Sequence, residues 1–506
     1  MTPIPTAAII GLDAYAVSVE ADISFGLPAF MVVGLPDTAV QEARERVRSA
    51  MKHSKLHFPP TKVTINLAPA DVRKGGSGYD LPLAISLLAA SGDLDEPKNG
   101  WPAMVGELAL DGSLRPVHGA LSVALFAQQT VNRELIVPAE NAREAALVQG
   151  VKVFAAHDLG QVVDHLVGER GLEPYPAVDL ASELQNAQAL DFCEVKGQNQ
   201  AKRALEIAAA GGHNILLTGP PGSGKTMLAR ALPGILPAFT RDEALEVTRI
   251  HSVAGVLPRN GLCLTRPFRA PHHTASGVAL VGGGTHPRPG EISLAHRGVL
   301  FLDEFPEFTR QVLENLRQPL EDGFVSVSRA QGTVTFPARF TLVAAMNPCS
   351  CGYATDPERA CTCTAQQVMR YAKRLSGPIL DRLDLKVGVP RVPTSDLVKI
   401  ELGEPTADIR RRVQAARDRQ TARLSGFGIL TNSELRSDQI LRYLKQDPEA
   451  QLLLRQAADR YHLSARAYFR VLRVAQTITD LEGTEIIRAP HIAEALQYRQ
   501  QNEQTF

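Results

Sequence analysis

Gly219 to Thr226 reads GPPGSGKT, a run of residue types suited to holding a polyphosphate. Gly222 and Gly224 can adopt positive φ and let backbone N–H groups converge on phosphates, whose charge is also favoured at the N-terminus of a following helix. Lys225 is expected to reach the β- and γ-phosphates, and Thr226 to hold Mg²⁺ through its hydroxyl. Gly219, Pro220, Pro221 and Ser223 supply the rest of the turn. The flanks have the required form, since Asn214 to Leu217 reads as an apolar strand and Met227 to Leu232 is compatible with a helix. An ordinary glycine-rich turn would not need both. The chain reads as a binder of a nucleoside triphosphate, with ATP and Mg²⁺ as cofactors.

Two carboxylates follow a second apolar run. Val299 to Leu302 ends in Asp303 and Glu304, the form a buried parallel strand takes when it delivers acids to the carboxyl edge of a sheet. Asp303 is expected to orient Mg²⁺ and its water, and Glu304 to accept a proton from the attacking water. A third apolar run, Thr341 to Ala345, leads into Met346-Asn347-Pro348. An apolar strand followed by Asp-Glu is weak evidence alone. After the phosphate loop and before Asn347, the order is informative.

Cys349-Ser-Cys351 and Cys361-Thr-Cys363 frame a loop rich in charge and glycine. Four thiolates can satisfy tetrahedral Zn²⁺, and a structural zinc commonly closes such a small polar loop. The spacing is tighter than the commoner Cys-x2-Cys, and four reduced, unliganded cysteines are the alternative. His272 and His273 have no carboxylate or cysteine spaced to join them as ligands, so a hydrogen-bonded structural role is favoured over a metal there.

The elements that must position these residues fit a chain of several domains. At 506 residues it is too long for one core. Hydrophobic content of 44% with 21% charged residues describes a globular protein, and 54 basic residues balance 54 acidic ones, so any basic surface for nucleic acid must be local. No leader-like segment or membrane-length apolar run is present in the sequence, and a cytoplasmic location is expected. Six cysteines in a chain of this size are not a disulfide framework.

Over the first third, strand patterns at Tyr15 to Glu20, Ala29 to Val33 and Lys62 to Leu67 alternate with helical ones at Asp37 to His53 and Leu81 to Ala90. Pro174, Pro176 and a polar run mark a linker at 173–190. A helix at Gln200 to Ala210 leads into the phosphate-loop strand. A helix at Glu243 to His251 is interrupted by a glycine-, proline- and histidine-rich stretch, about 253–290, before a helix resumes at Glu291 to His296. So long a loop inside a helix is improbable as padding. Val325 to Phe336 alternates around a glycine-containing turn and reads as a hairpin, about 324–340. Arg269, Arg288 and Arg329 on these segments could track a sugar-phosphate backbone without reading bases. From Pro393 onward the pattern is helical, beginning with Ser395 to Leu402.

The segments NLAPAD (Asn66 to Asp71), GSGYDLPLA (Gly76 to Ala84) and GELALDGSLRPVHGAL (Gly106 to Leu121), with SGPILDRLD (Ser376 to Asp384) further on, resemble the ComM/YifB family of Mg-chelatase-like AAA+ proteins. The resemblance implies an α/β chain in three parts: a Lon-protease-like (ribosomal S5 domain 2-like) α+β domain at 1–172, an AAA+ P-loop core at 191–392 with a Cys loop at 349–363, and a helical lid at 393–506. Leu121 falls where active Lon-type proteases carry the catalytic lysine, so Ser77 and its neighbours have no evident base and proteolysis is not expected.

The family pattern further implies that Val195 and Gly197 lie near the adenine and that Asn347 is the sensor placing the attacking water. Arg382 is implied as the arginine finger acting on a neighbour's γ-phosphate, with Arg374 as its substitute. Arg466 is implied as a second sensor contacting nucleotide, and Arg473 as a residue of a solvated helix face. The insert and hairpin would face a central pore. The resemblance implies a homo-hexameric motor on single-stranded and branched DNA, driving branch migration when strands are integrated during natural transformation, with recombination proteins as further partners and no membrane. A magnesium-chelatase motor subunit and a protein-remodelling factor are the alternatives. The first would not need the N-terminal domain, and the second usually presents an aromatic pore loop that does not stand out here.

Overall fold

The computed structural model describes residues 2–180, 183, 191–258, 260–284, 287–329, 332–356, 358–392 and 403–500. At the N-terminus, β1 (Ile4–Ile10) and β2 (Asp13–Ser24) pair antiparallel through the turn Gly11-Leu12, and β3 (Ala29–Val33) and β4 (Lys62–Ala68) complete a four-stranded sheet of order β1-β2-β4-β3. Alternation along β4 buries Val63, Ile65 and Leu67 against the helix Asp80–Ser91, which is apolar all round and correspondingly buried. Each such side chain removed from water stabilises the fold by roughly 1.5–3 kcal/mol before entropy is counted. The helix read as continuous from Asp37 to His53 is broken at Glu42 into Thr38–Gln41 and Ala43–His53. A three-stranded sheet (Ala103–Met104, Glu134–Pro138, Lys152–Ala156) follows, parallel throughout.

The central sheet has five parallel strands in the order Phe268–Arg269, Val299–Leu302, Thr341–Met346, Ile215–Thr218, Leu385–Gly388. Val299–Leu302 and Thr341–Met346 are buried along their whole length, as strands covered on both faces must be. Because all five run the same way, their carboxyl ends share one edge and their amino ends the other. The helix expected at Glu243 to His251 spans Arg241–Ala254, fixed at its start by a capping box between Thr240 and Glu243. The resumption after the insert is a single turn, Glu291–Leu294. The hairpin forms as Phe324–Arg329 and Gly332–Pro337, with Val325 opposite Phe336. Helices Thr406–Leu424, Pro448–Arg460, Ala465–Glu482 and Ala489–Gln500 build the C-terminal bundle. The helix read at Ser395 to Leu402 and half of the linker segment fall outside the described residues.

The N-terminal region is packed on the central one. Leu121, at the position implied for a catalytic lysine, is buried in a core that also holds Ala7, Phe239, Ala244 and Val247. Ser77 donates its hydroxyl to Glu107. Polar contacts seal the junction: Arg249 donates to the Leu12 carbonyl and pairs with Asp13 at 2.8 Å, and the Ser252 hydroxyl donates to the buried Glu144 carboxylate at 2.6 Å. Gly11, at φ +64°, lies against the hairpin so closely that a Cβ there would sit 2.4 Å from Val334 Cγ1.

Candidate active site

The strand Ile215–Thr218 delivers the chain to the carboxyl edge, Gly222 and Gly224 turn it at φ +76° and +90°, and the helix Lys225–Ile235 starts at once. The buried Lys225 ammonium donates to the Gly219 carbonyl at 2.8 Å, to the Pro220 carbonyl at 2.9 Å and to Asn347 Oδ1 at 3.3 Å. Burial lowers its pKa to about 8 against a smaller opposing effect of Asp303. The Thr226 hydroxyl donates to Asp303 Oδ2 at 3.0 Å, and the other Asp303 oxygen accepts from the Glu304 N–H at 2.9 Å. Phosphate loop, Asp303, Glu304 and Asn347 line one cavity of about 450 Å³. Residues from three strands are thus brought to one place. The Thr226 hydroxyl beside the Asp303 carboxylate is an all-oxygen donor pair of the kind Mg²⁺ takes alongside phosphate oxygens and water.

Glu304 is held from outside this set. It sits in the left-handed region, φ +51°, and its Oε2 lies 2.9 Å from His273 Nδ1. His273 comes four residues after the edge strand Phe268–Arg269, on the segment that enters the insert, and its ring stands edge-on to Phe308 at 6.4 Å. The sequence signalled the histidine pair but not its partner. Gln198 was also missed: it donates to the carbonyls of Ser223 at 3.2 Å and Pro390 at 2.6 Å, tying the loop to the sheet edge. Val195 is buried in the central core, and Gly197 lies beside Val392.

The cysteine loop abuts this cavity. The Sγ atoms of Cys349, Cys351 and Cys361 are 3.4 to 3.6 Å apart, and all four cysteines place a sulfur within 4.8 Å of the others. Four thiolates at about 2.3 Å from a tetrahedral zinc would have sulfurs about 3.8 Å apart, so the group fits. Backbone hydrogen bonds from Tyr353 and Thr362 hold the Cys351 thiol down at about 5. Gly352, at φ +88°, is so close to the phosphate loop that a Cβ would meet Pro221 Cδ at 2.8 Å.

Two expected nucleotide contacts lie elsewhere. Arg382 and Arg466 line a second cavity, about 680 Å³, together with Asn214, Gly298 and Thr341. Those three residues mark the amino ends of the strands, the edge opposite the phosphate loop and more than about 13 Å away along a four-residue strand. Arg466 therefore does not face this chain's own loop. Arg382 does not project freely: its guanidinium is buried, donating to the Pro378 carbonyl at 2.7 Å and paired with Glu321, and burial lowers its pKa. Arg466, largely exposed, lies 4.0 Å from the same Glu321. Arg374 pairs with Glu307. Arg473, read as part of a solvated face, is half-buried and faces Asp384, which also pairs with Arg470 at 3.4 Å.

The residues suggested for a sugar-phosphate backbone separate in the same way. Arg269 is clamped by both oxygens of Glu291 at 2.6 Å, which removes it from that set. Arg288 is exposed on the insert's short strand pair. Arg329 ends the first hairpin strand, and its side chain lies outside the described residues.

Three family models match the chain: magnesium chelatase, subunit ChlI, over residues 191–397; subunit ChlI of Mg-chelatase over 19–141; and magnesium chelatase, subunit ChlI C-terminal, over 403–499. Competence protein ComM of Haemophilus influenzae is 46% identical over 97% of this chain and 96% of its own length. YifB of Escherichia coli is 47% identical over 98% and 96%. The magnesium-chelatase 38 kDa subunit of Cereibacter sphaeroides is 27% identical over 31% of this chain and 52% of that protein.

Proposed function

The chain belongs to the ComM/YifB family of magnesium-chelatase-like AAA+ proteins, and on that premise we propose that it is an ATP-driven hexameric DNA motor that promotes branch migration as transforming strands are integrated by homologous recombination. The observation that carries this reading is the division of the arginines from the loop. Lys225, Thr226, Asp303, Glu304 and Asn347 gather at the carboxyl edge of the sheet, while Arg382 and Arg466 gather at the amino edge. One subunit offers half a site at each pole, and a closed head-to-tail ring is the assembly that joins them.

In that ring Lys225 and the loop amides bind the triphosphate, and Glu304 takes a proton from water at its carboxylate. Asn347 orients that water, and the neighbour's Arg382 and Arg466 supply positive charge where charge develops. Thr226 and Asp303 would hold Mg²⁺, which would supply neutralisation of the phosphates. Cys349, Cys351, Cys361 and Cys363 would hold a structural zinc, which would fix the loop that abuts Pro221. Arg288 on the insert and Arg329 on the hairpin are the backbone contacts proposed for DNA. Among the described residues no helix is long and apolar enough to cross a membrane.

The test is steady-state ATP hydrolysis with branched DNA, single-stranded DNA, a porphyrin or an unfolded polypeptide as effector, with Lys225→Ala as control. DNA should change the rate and the variant should abolish it. A protein that binds no DNA at low salt with an ATP analogue, or that responds only to porphyrin or polypeptide, is not such a motor.

A further inference from the structure

The helix Ala43–His53 sorts its cations by face. Arg46 turns inward and is bonded to the buried Asp80 carboxylate at 2.6 and 2.9 Å. Arg44, Arg48 and Lys52, spaced by four, form an outward stripe rising about 6 Å per step. With Lys55 and His57 they line a cleft of about 600 Å³ that no carboxylate enters. Among the described residues Arg48, Lys52 and Lys55 have no hydrogen-bond or ion-pair partner, while Arg44 Nε lies 3.6 Å from Glu45 Oε1 on the same helix. In a chain of zero net charge this is a concentrated basic surface, in which only Arg44 has a carboxylate beside it.

Two aromatic rings share the lining. Phe30 and Phe58, half-buried, stack at 6.3 Å and line the cleft from the inside. Phe25, fully exposed at 103%, and Leu27, at 89%, stand on the loop between β2 and β3, just ahead of Pro28, which lines the cleft. Cations and flat apolar rings lining one cleft are what an unstacked nucleotide strand requires: charge for its phosphates and rings for its bases. An apolar protein partner would not be matched by five basic residues, and a duplex would hide the bases that the rings could meet.

We infer that this cleft is a binding site for single-stranded DNA on the N-terminal domain, with phosphates against Arg44, Arg48, Lys52 and Lys55 and bases against Phe25 and Phe58. The inference rests on the reading of the chain as a DNA motor and assigns a second contact outside the proposed pore.

The experiment is a fluorescence-anisotropy titration of labelled oligo(dT) with the full chain and a non-hydrolysable ATP analogue at several salt concentrations. It compares wild type, Arg48→Gln/Lys52→Gln/Lys55→Gln and Phe25→Ala. The triple variant should bind at least about tenfold more weakly, with its log–log salt slope shallower by about 2, since each single-strand phosphate contact contributes about 0.7. Phe25→Ala should lose about fivefold or more, with the salt slope unchanged. Basal ATP hydrolysis and ring size should match wild type in both variants. Wild-type protein that binds no DNA sinks the motor reading and the cleft with it. Variants that bind with wild-type affinity and slope sink the cleft alone, as do variants that change ring size instead, tighter binding of duplex, or equal loss of affinity for oligo(U) and oligo(dT) with oligo(U) preferred.

Discussion

His273 Nδ1 lies 2.9 Å from Glu304 Oε2, so the carboxylate proposed to activate water is held by a side chain at the entrance to the insert. A base engaged in that pair has one oxygen withdrawn from the water it would serve. Movement of the insert and availability of the base are thereby joined in one contact. Replacing His273 by Ala should raise hydrolysis without DNA about three- to tenfold and shrink the further stimulation by DNA, whereas Glu304→Gln should cost about a hundredfold or more with nucleotide binding retained. Phosphate release measured with and without DNA decides it. Unchanged basal turnover with intact stimulation in the histidine variant would falsify this link between the insert and Glu304.

Lys225 supplies a pH signature. Its pKa in the free chain is lowered to about 8 by burial, and polyphosphate beside the ammonium must raise it again. Between about pH 8 and the ordinary lysine value near 10.4, binding therefore takes up a proton, and affinity falls as pH rises by up to about tenfold per unit. Calorimetry in buffers of different ionisation enthalpy should show this uptake above about pH 8 and little below it. Lys225→Met should bind weakly with no such dependence. Proton release in that range would contradict the assignment.

The cysteine loop predicts a link between metal and nucleotide. Native protein should contain about one zinc per chain, and Cys351→Ser or Cys361→Ser should lose it. Because Gly352 is packed on Pro221 and adjoins Asn347, loss of the loop's shape should weaken ATP-analogue binding several-fold and lower the thermal midpoint. Metal-free protein that binds nucleotide as tightly as native protein would separate the two sites.

The placement of Arg382 and Arg466 can be read out by mixing. Arg382→Ala and Glu304→Gln proteins should each be inactive alone. Mixed rings should recover about a quarter of wild-type sites, namely those pairing an intact base with an intact arginine from the next subunit. Mixtures no more active than their components would place the arginine's work within its own chain.

The sequence displayed the carboxyl-edge site because its parts are local: a loop of fixed composition, two acids ending one apolar run and an amide ending another. Each strand's own pattern also fixes which end its last residue occupies. What stayed hidden depends on distant partners. Glu321 is 61 residues from Arg382 and Glu291 is 22 from Arg269, so whether an arginine is free or clamped is decided by packing. Glu304 and His273 meet only because their strands, Val299–Leu302 and Phe268–Arg269, are neighbours in the sheet. The break at Glu42 has no proline or glycine to announce it. Arg473 has the helix spacing of a surface residue and is half-buried because a buried carboxylate, Asp384, lies opposite it.

One strand joins two of these places. β2 begins beside the Gly11 turn that touches Val334 of the hairpin and ends at Ser24, next to Phe25. Its twelve residues span about 40 Å, the first part paired with β1 from Asp13 to Val19 and the last with β4 from Ser18 to Ser24, so every residue is held by a neighbouring strand. It acts as a tie rod: a load placed at Phe25 runs along one continuous backbone to the hairpin, with support passing from β4 to β1 at Ser18 and Val19.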